Sequence, residues 1–290
     1  MRRGFLTAFG LPVLALLAMG AASAKAESLT GSRKIVSIGG SITEIVYALG
    51  GQDRLAARDS TSLYPPEALS LPDAGYMRAL SPEGVLSVDP DGILLLEGSG
   101  PPETLSVLKS SGLPIVEVPE DFSAEGILKK VETVGAALGL EEKAAALKAK
   151  LAADLAEAQE EGRTKGHGVR VMFILSAQGG RIMASGSGTA AAGILKLAGA
   201  VNAVEGYSGY KQLTDEAVIS AAPDVILMMD RAGNHASSAE EVLASPALQQ
   251  TPAGQNKHLI RMEGLYLLGF GPRTADAVRE LVRELAKSGS

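Results

Sequence analysis

Few side chains in this chain of 290 residues are equipped for chemistry. It contains no cysteine, which excludes disulfides and thiolate metal sites. His167, His235 and His258 stand in no ligand-like spacing, whereas a zinc or manganese site needs several histidines or carboxylates turned inward together. They suggest no Ser/His/Asp set either, and no Gly-x-Ser-x-Gly elbow occurs. Gly186-Ser-Gly-Thr-Ala-Ala191 fits a degenerate dinucleotide fingerprint, with Glu205 further along. It does not directly follow a strong strand, so it argues only weakly for a Rossmann-type enzyme. What remains is one phenol and two guanidiniums. Tyr76 follows Gly75 on a loop, where pattern alone favours a ring packed over the edge of a sheet. Arg78 and Arg231 can pair carboxylates or lie as solvated charges, two readings of equal weight.

These residues are carried by an α/β chain. The apolar strings 34–38, 92–96, 114–118, 169–175 and 225–229 read as short buried strands separated by helical or loop sequence, the pattern of largely parallel sheets. Between the third and fourth, residues 124–161 are rich in Ala, Leu, Glu and Lys at helical spacing; Gly139 divides them into two helices, and Gly162, Gly166 and Gly168 end the second. The chain also repeats itself. Residues 80–96 lie over residues 213–229 without a gap, with 8 of 17 positions identical. Gly39-Gly-Ser-Ile-Thr-Glu44 and Gly186-Ser-Gly-Thr-Ala190 both open helices, the first with Ser41 and Glu44 as a capping box. The economical arrangement is two similar lobes, 27–123 and 166–290, joined by a helical segment, 124–165, with a ligand cleft between them.

Residues 1–26 read as a secretory leader: Arg2 and Arg3, an apolar run from Phe5 to Met19, then small residues suited to cleavage. The run is shorter than the roughly 20 residues a membrane span requires. The formal charge of −6, without basic runs, argues against nucleic-acid binding. With no cysteine for lipidation, the expected place is the periplasm of a Gram-negative cell, free of the membrane.

Gly75-Tyr-Met-Arg-Ala-Leu-Ser-Pro-Glu-Gly-Val-Leu86, Pro90-Asp91, Thr251-Pro-Ala-Gly-Gln-Asn-Lys257 and Leu265-Tyr-Leu-Leu-Gly-Phe-Gly-Pro-Arg-Thr274 together resemble the periplasmic haem-binding proteins of bacterial haem ABC importers, within the helical-backbone class that also binds siderophores and cobalamin. The resemblance covers the whole chain after the leader. It implies two Rossmann-like lobes bridged by a long helix, little hinge motion, no enzymatic activity, and haem held in the cleft through a tyrosine.

By that resemblance Tyr76 is the iron ligand. Phenolate is a known axial ligand of ferric haem. A free phenol ionises only near pH 10, and both ferric iron and a nearby guanidinium favour the ionised form. Arg78 and Arg231 are candidates for the latter role or for pairing the haem propionates. Met77, Met183, Tyr207 and Tyr266 can offer soft or aromatic surface to the macrocycle, and the helix N-termini at Ser41 and Thr189 can receive carboxylates. Some relatives add a histidine just after the fourth strand. Here Ser176-Ala-Gln-Gly-Gly180 stands there; Gln178 can hydrogen-bond a ligand but is a poor iron donor, which favours one five-coordinate haem. Glu83 and Glu216, equivalent in the repeat, are assigned by resemblance to docking on arginines of the two permease subunits; helix-dipole complementation is the rival account. A monomer is the expected state. Cobalamin or a ferric siderophore is the alternative cargo, and an exported Rossmann-like enzyme the more distant one.

Overall fold

The computed structural model describes Met1 and residues 28–166, 168–230 and 238–287. Apart from Met1, the expected leader lies outside the described residues, as do His167, Arg231 and His235.

The first half is an open parallel sheet. Its elements are β1 (Ile35–Ile38), α1 (Gly40–Ala48), β2 (Leu55–Arg58), α2 (Pro82–Leu86), β3 (Gly92–Leu96), α3 (Pro102–Ser110) and β4 (Ile115–Val118), with strand order β2-β1-β3-β4. Ile35 pairs with Gly92 and Ile38 with Leu95, while Ile93 pairs with Ile115. Every residue of β1 and β3 is buried, as expected of strands covered on both faces. Helix α2 starts where Pro82 needs no amide partner and the Ser81 hydroxyl accepts from Gly84 N at 3.0 Å.

Two helices follow, α4 (Ala124–Leu138) and α5 (Glu141–Lys165). Gly139 separates them in the left-handed region, φ 68°, as its position suggested. The second helix, about 37 Å long, corrects one expectation. Gly162 does not end it; the helix runs on to Lys165 and stops before Gly166. Gly162 is instead where α5 meets the chain after α6, since a Cβ there would lie 2.7 Å from the carbonyl carbon of Ala198.

The second half holds β5 (Arg170–Ser176), β6 (Met183–Ser185), α6 (Ala190–Leu197), β7 (Val201–Asn202), β8 (Tyr210–Gln212), α7 (Asp215–Ala221), β9 (Val225–Asp230), α8 (Ala239–Leu243), α9 (Pro252–Gln255), β10 (Leu259–Glu263), α10 (Gly264–Leu268) and α11 (Thr274–Ala286). Strands β10, β9 and β5 are parallel, β6 and β8 extend the sheet antiparallel, and β7 pairs with the start of β5. The internal repeat is therefore structural: α2–β3 and α7–β9 are equivalent helix-strand units, capped by Ser81 and Thr214. The expected two-lobed α/β architecture holds. Strands β2, β6, β7, β8 and β10 escaped the sequence reading because they are short or carry polar and half-buried residues that break the apolar run.

The lobes share part of their interior, beside one apolar cluster private to each sheet. One buried apolar cluster runs from Ile42, Leu94 and Val118 through Val131, Leu151 and Leu155 to Phe173, Leu195, Leu227 and Leu281. At about 1.5–3 kcal/mol for each large apolar side chain buried, this shared cluster resists any motion that parts the halves. At the seam, Phe122 and Phe270 meet edge to face, with centroids 5.3 Å apart. Lys130, fully buried, reaches Glu120 Oε1 at 2.8 Å, and Ser41 Oγ and the Gly269 carbonyl at 3.4 Å each.

Candidate ligand cleft

Parallel strands aim the loops at their carboxyl ends into one crevice. In the first lobe these loops are 39–40 and 59–64, tied together by Asp59. Fully buried, its Oδ1 accepts from Gly39 N at 3.0 Å and Ser62 Oγ at 2.7 Å, and its Oδ2 from Thr61 N at 3.0 Å and Thr61 Oγ1 at 2.7 Å. This carboxylate occupies the N-terminus of α1, the place expected to receive a ligand carboxylate. The capping box of Ser41 and Glu44 does not form. The N-cap is Gly39, without a side-chain cap. Ser41 is buried, its Oγ 3.4 Å from Lys130 Nζ. Glu44 instead accepts three hydrogen bonds from Arg273 of the other half, from N, Nε and Nη2, each at 3.1 Å. Thr189 does cap α6, accepting from Ala192 N at 3.0 Å.

The turn carrying Tyr76 is built tightly from backbone. Gly75 holds φ 106°, a conformation side chains rarely adopt, and its carbonyl accepts from Ser60 N at 2.9 Å. Ala79 N closes the turn on the Tyr76 carbonyl at 2.8 Å, and Gly100 N bonds the Met77 carbonyl at 2.9 Å. Tyr76 stands out of this frame, 47% exposed. Met77 is half-buried beneath it, its Sδ 3.9 Å from Thr61 Oγ1. Arg78 is exposed, and its charge reaches the second lobe, where it favours the ionised form of Tyr210. Burial is the larger influence on Tyr210 and pushes its phenol up; the hydroxyls of Thr189 and Ser185, together with Arg78, oppose that. The Tyr210 ring stands edge-on to Phe173 at 6.4 Å.

The other predicted residues divide. Gln178 and Met183 are exposed on the turn after β5 and on β6. Tyr207 is committed to its own lobe: its hydroxyl donates to the Ala184 carbonyl at 2.9 Å and Lys211 Nζ lies 5.0 Å from the ring centroid. Tyr266 is half-buried on α10. Its phenol is pushed up to about 12, first by burial and then by Glu280 and Asp276 of α11. Glu83 and Glu216 are both exposed, each the second residue of its helix. The Glu216 carboxyl is held below the usual range by its own amide and by Thr214. Sequence reasoning missed Asp59, Leu63, Tyr64, Tyr210 and Arg273. Only Arg273 carried a signal, inside the Gly-Phe-Gly-Pro-Arg-Thr run. Among the described residues no group of His, Asp and Glu could hold a metal ion, and no helix is long and apolar enough to cross a membrane.

Residues 35–264 match the model of the periplasmic binding protein family. The chain belongs to that family. Among solved structures this periplasmic binding protein is similar to the haem-binding protein BhuT in complex with two haems, with a TM-score of 0.84 and 35% identity over 89% of this chain and 99% of that one. Apo RhuT from Roseiflexus sp. RS-1, also haem-binding, gives 0.85 and 35% over 90% and 100% of the two chains. HutB of Vibrio cholerae, a third haem-binding protein, gives 0.75 and 31% over 86% and 97%. By sequence the chain is 27% identical to the vitamin B12-binding protein of Vibrio cholerae, over 86% of this chain and 88% of that protein. It is 29% identical to the substrate-binding lipoprotein YvrC of Bacillus subtilis, an ABC transporter component, over 87% and 80%. Family and fold are those of binding proteins, not of enzymes.

Proposed function

We propose that the protein is the periplasmic carrier of a haem ABC importer, and that Tyr76 binds ferric haem iron as phenolate. The observation that carries the proposal is a half-exposed tyrosine, Tyr76, on a turn fixed by the backbone of both its neighbours, with the exposed Arg78 two residues away. The backbone of the turn is already fixed, so the loop itself loses little freedom on coordination. Arg78 supplies a positive charge that either a phenolate or a propionate would accept. The three haem-binding neighbours support this cargo. Glu83 and Glu216 face solvent at equivalent places of the two lobes, as a docking pair for a permease dimer requires. The carrier acts as an exported monomer, free of the membrane, with the lobes assigned to 27–123 and 166–290 and the helices between them as the bridge.

The vitamin B12-binding relatives favour a second reading, a corrinoid cargo. The test is titration of the protein, expressed without residues 1–26, with hemin and separately with cyanocobalamin. The haem reading expects a saturable hemin spectrum that Tyr76→Phe alters, together with an affinity lowered by about tenfold or more, roughly 1.4 kcal/mol. The missing histidine after β5 sets the expected end point at one haem per chain. An unchanged spectrum and affinity in Tyr76→Phe would end the phenolate model, and binding of cyanocobalamin in place of hemin would end the haem model.

A further inference from the structure

A second aromatic residue of the first lobe is mounted as firmly as Tyr76 and has no part in the account so far. Tyr64 lies at the end of the loop organised by Asp59, 39% exposed, beside Leu63, 49% exposed. Large apolar groups left open on a loop whose Ser62 is wholly buried call for a partner. One face of the Tyr64 ring is already covered, because the Arg273 guanidinium lies over it at 3.7 Å from the centroid. Arg273 itself cannot wander: Glu44, with its side chain only 5% exposed, takes its N, Nε and Nη2. Tyr266 meets the same guanidinium, its centroid 5.2 Å from the guanidinium carbon. Both rings thus meet one guanidinium, and Tyr64 keeps exposed surface that Arg273 does not cover. The same loop touches the Tyr76 turn through Thr61 and Met77 at 3.9 Å and through Ser60 N and the Gly75 carbonyl at 2.9 Å.

We propose that the open face of Tyr64, flanked by Leu63, is a stacking surface for the flat conjugated ring of the cargo, and that Arg273 is the positioning residue that fixes it. This rests on the reading of the cargo as a porphyrin. A ring already fixed by a guanidinium loses little freedom on stacking, and aromatic contacts of this kind select a planar ligand without reading its metal. The surface therefore acts independently of iron coordination: Tyr76 holds the metal, Tyr64 the ring.

Iron-free protoporphyrin IX separates the two roles. Binding of protoporphyrin IX and of hemin is measured by fluorescence quenching and absorption for the mature chain and for Tyr64→Phe, Tyr64→Leu and Arg273→Lys, with thermal unfolding to confirm the fold. Tyr64→Leu is expected to weaken protoporphyrin IX at least fivefold while the iron-phenolate spectrum of bound hemin persists. Tyr64→Phe should retain wild-type binding, and Arg273→Lys, which keeps the charge but loses the flat stack, should fall between. Wild-type affinity of Tyr64→Leu for protoporphyrin IX overturns the stacking surface while leaving the haem reading intact. Failure of the unaltered chain to bind either porphyrin overturns both.

Discussion

The contact between Glu44 and Arg273 makes a quantitative prediction about stability. Removing the guanidinium by Arg273→Ala leaves the Glu44 carboxylate, 5% exposed, without the three donors it now has. Breaking a buried pair from one side costs about 3–5 kcal/mol, and because Arg273 is 23% exposed the lower end, about 3 kcal/mol, is expected. Glu44→Gln keeps an oxygen for the backbone amide and leaves the guanidinium partly hydrated, so about 1–2 kcal/mol is expected. The double variant Glu44→Leu/Arg273→Leu buries no orphan charge and should be less damaged than Arg273→Ala alone. Urea unfolding of the three variants at constant m-value measures these differences. The effect of pH follows from the same contact. Burial pushes the Glu44 carboxyl up and Arg273 opposes it, so losing Arg273 raises it further. A raised carboxyl carries no penalty at pH below its unfolded value, and the penalty grows as pH rises through its folded value. The deficit of Arg273→Ala should therefore be largest near neutrality and shrink on acidification. A loss below about 1 kcal/mol for Arg273→Ala, or a double variant at least as unstable as Arg273→Ala, would refute the reasoning.

Two further outcomes can be measured. Asp59→Ala removes the acceptor of four hydrogen bonds at the head of α1, two buried and two part-buried, and should cost about 2–4 kcal/mol in urea unfolding, with hemin affinity falling because the Thr61 and Gly75 loops lose their anchor. Charge reversal at both Glu83 and Glu216 should abolish haem uptake by cells that depend on the importer and leave the affinity of the isolated protein unchanged; surviving uptake would favour the helix-dipole account of these residues.

The buried parallel strands, the two helices divided at Gly139 and the duplicated helix-strand unit were legible because each writes a local signature: an apolar run, a helical period, a Pro-Asp turn. The short edge strands were not, since a strand of three residues with an exposed face has no period to read. The local backbone was legible where a motif marked a turn, as around Tyr76 and Arg78. The site was misread where partners come from far along the chain. Ser41 and Glu44 have the spacing of a capping box, yet Asp59 from the loop after β2 bonds the Gly39 amide at the helix end and Arg273, 229 residues away, takes Glu44. Local spacing proposes a partner, and tertiary structure can offer a better one. Tyr266 and Tyr64 show the same limit, since only the fold places both rings on one guanidinium.

The apolar cluster that passes from one sheet to the other has a consequence for how the molecule can be taken apart. Neither duplicated half could be expressed alone without opening to water the side of its interior that the other half now seals. A denaturation probe attached to either end should report one and the same transition.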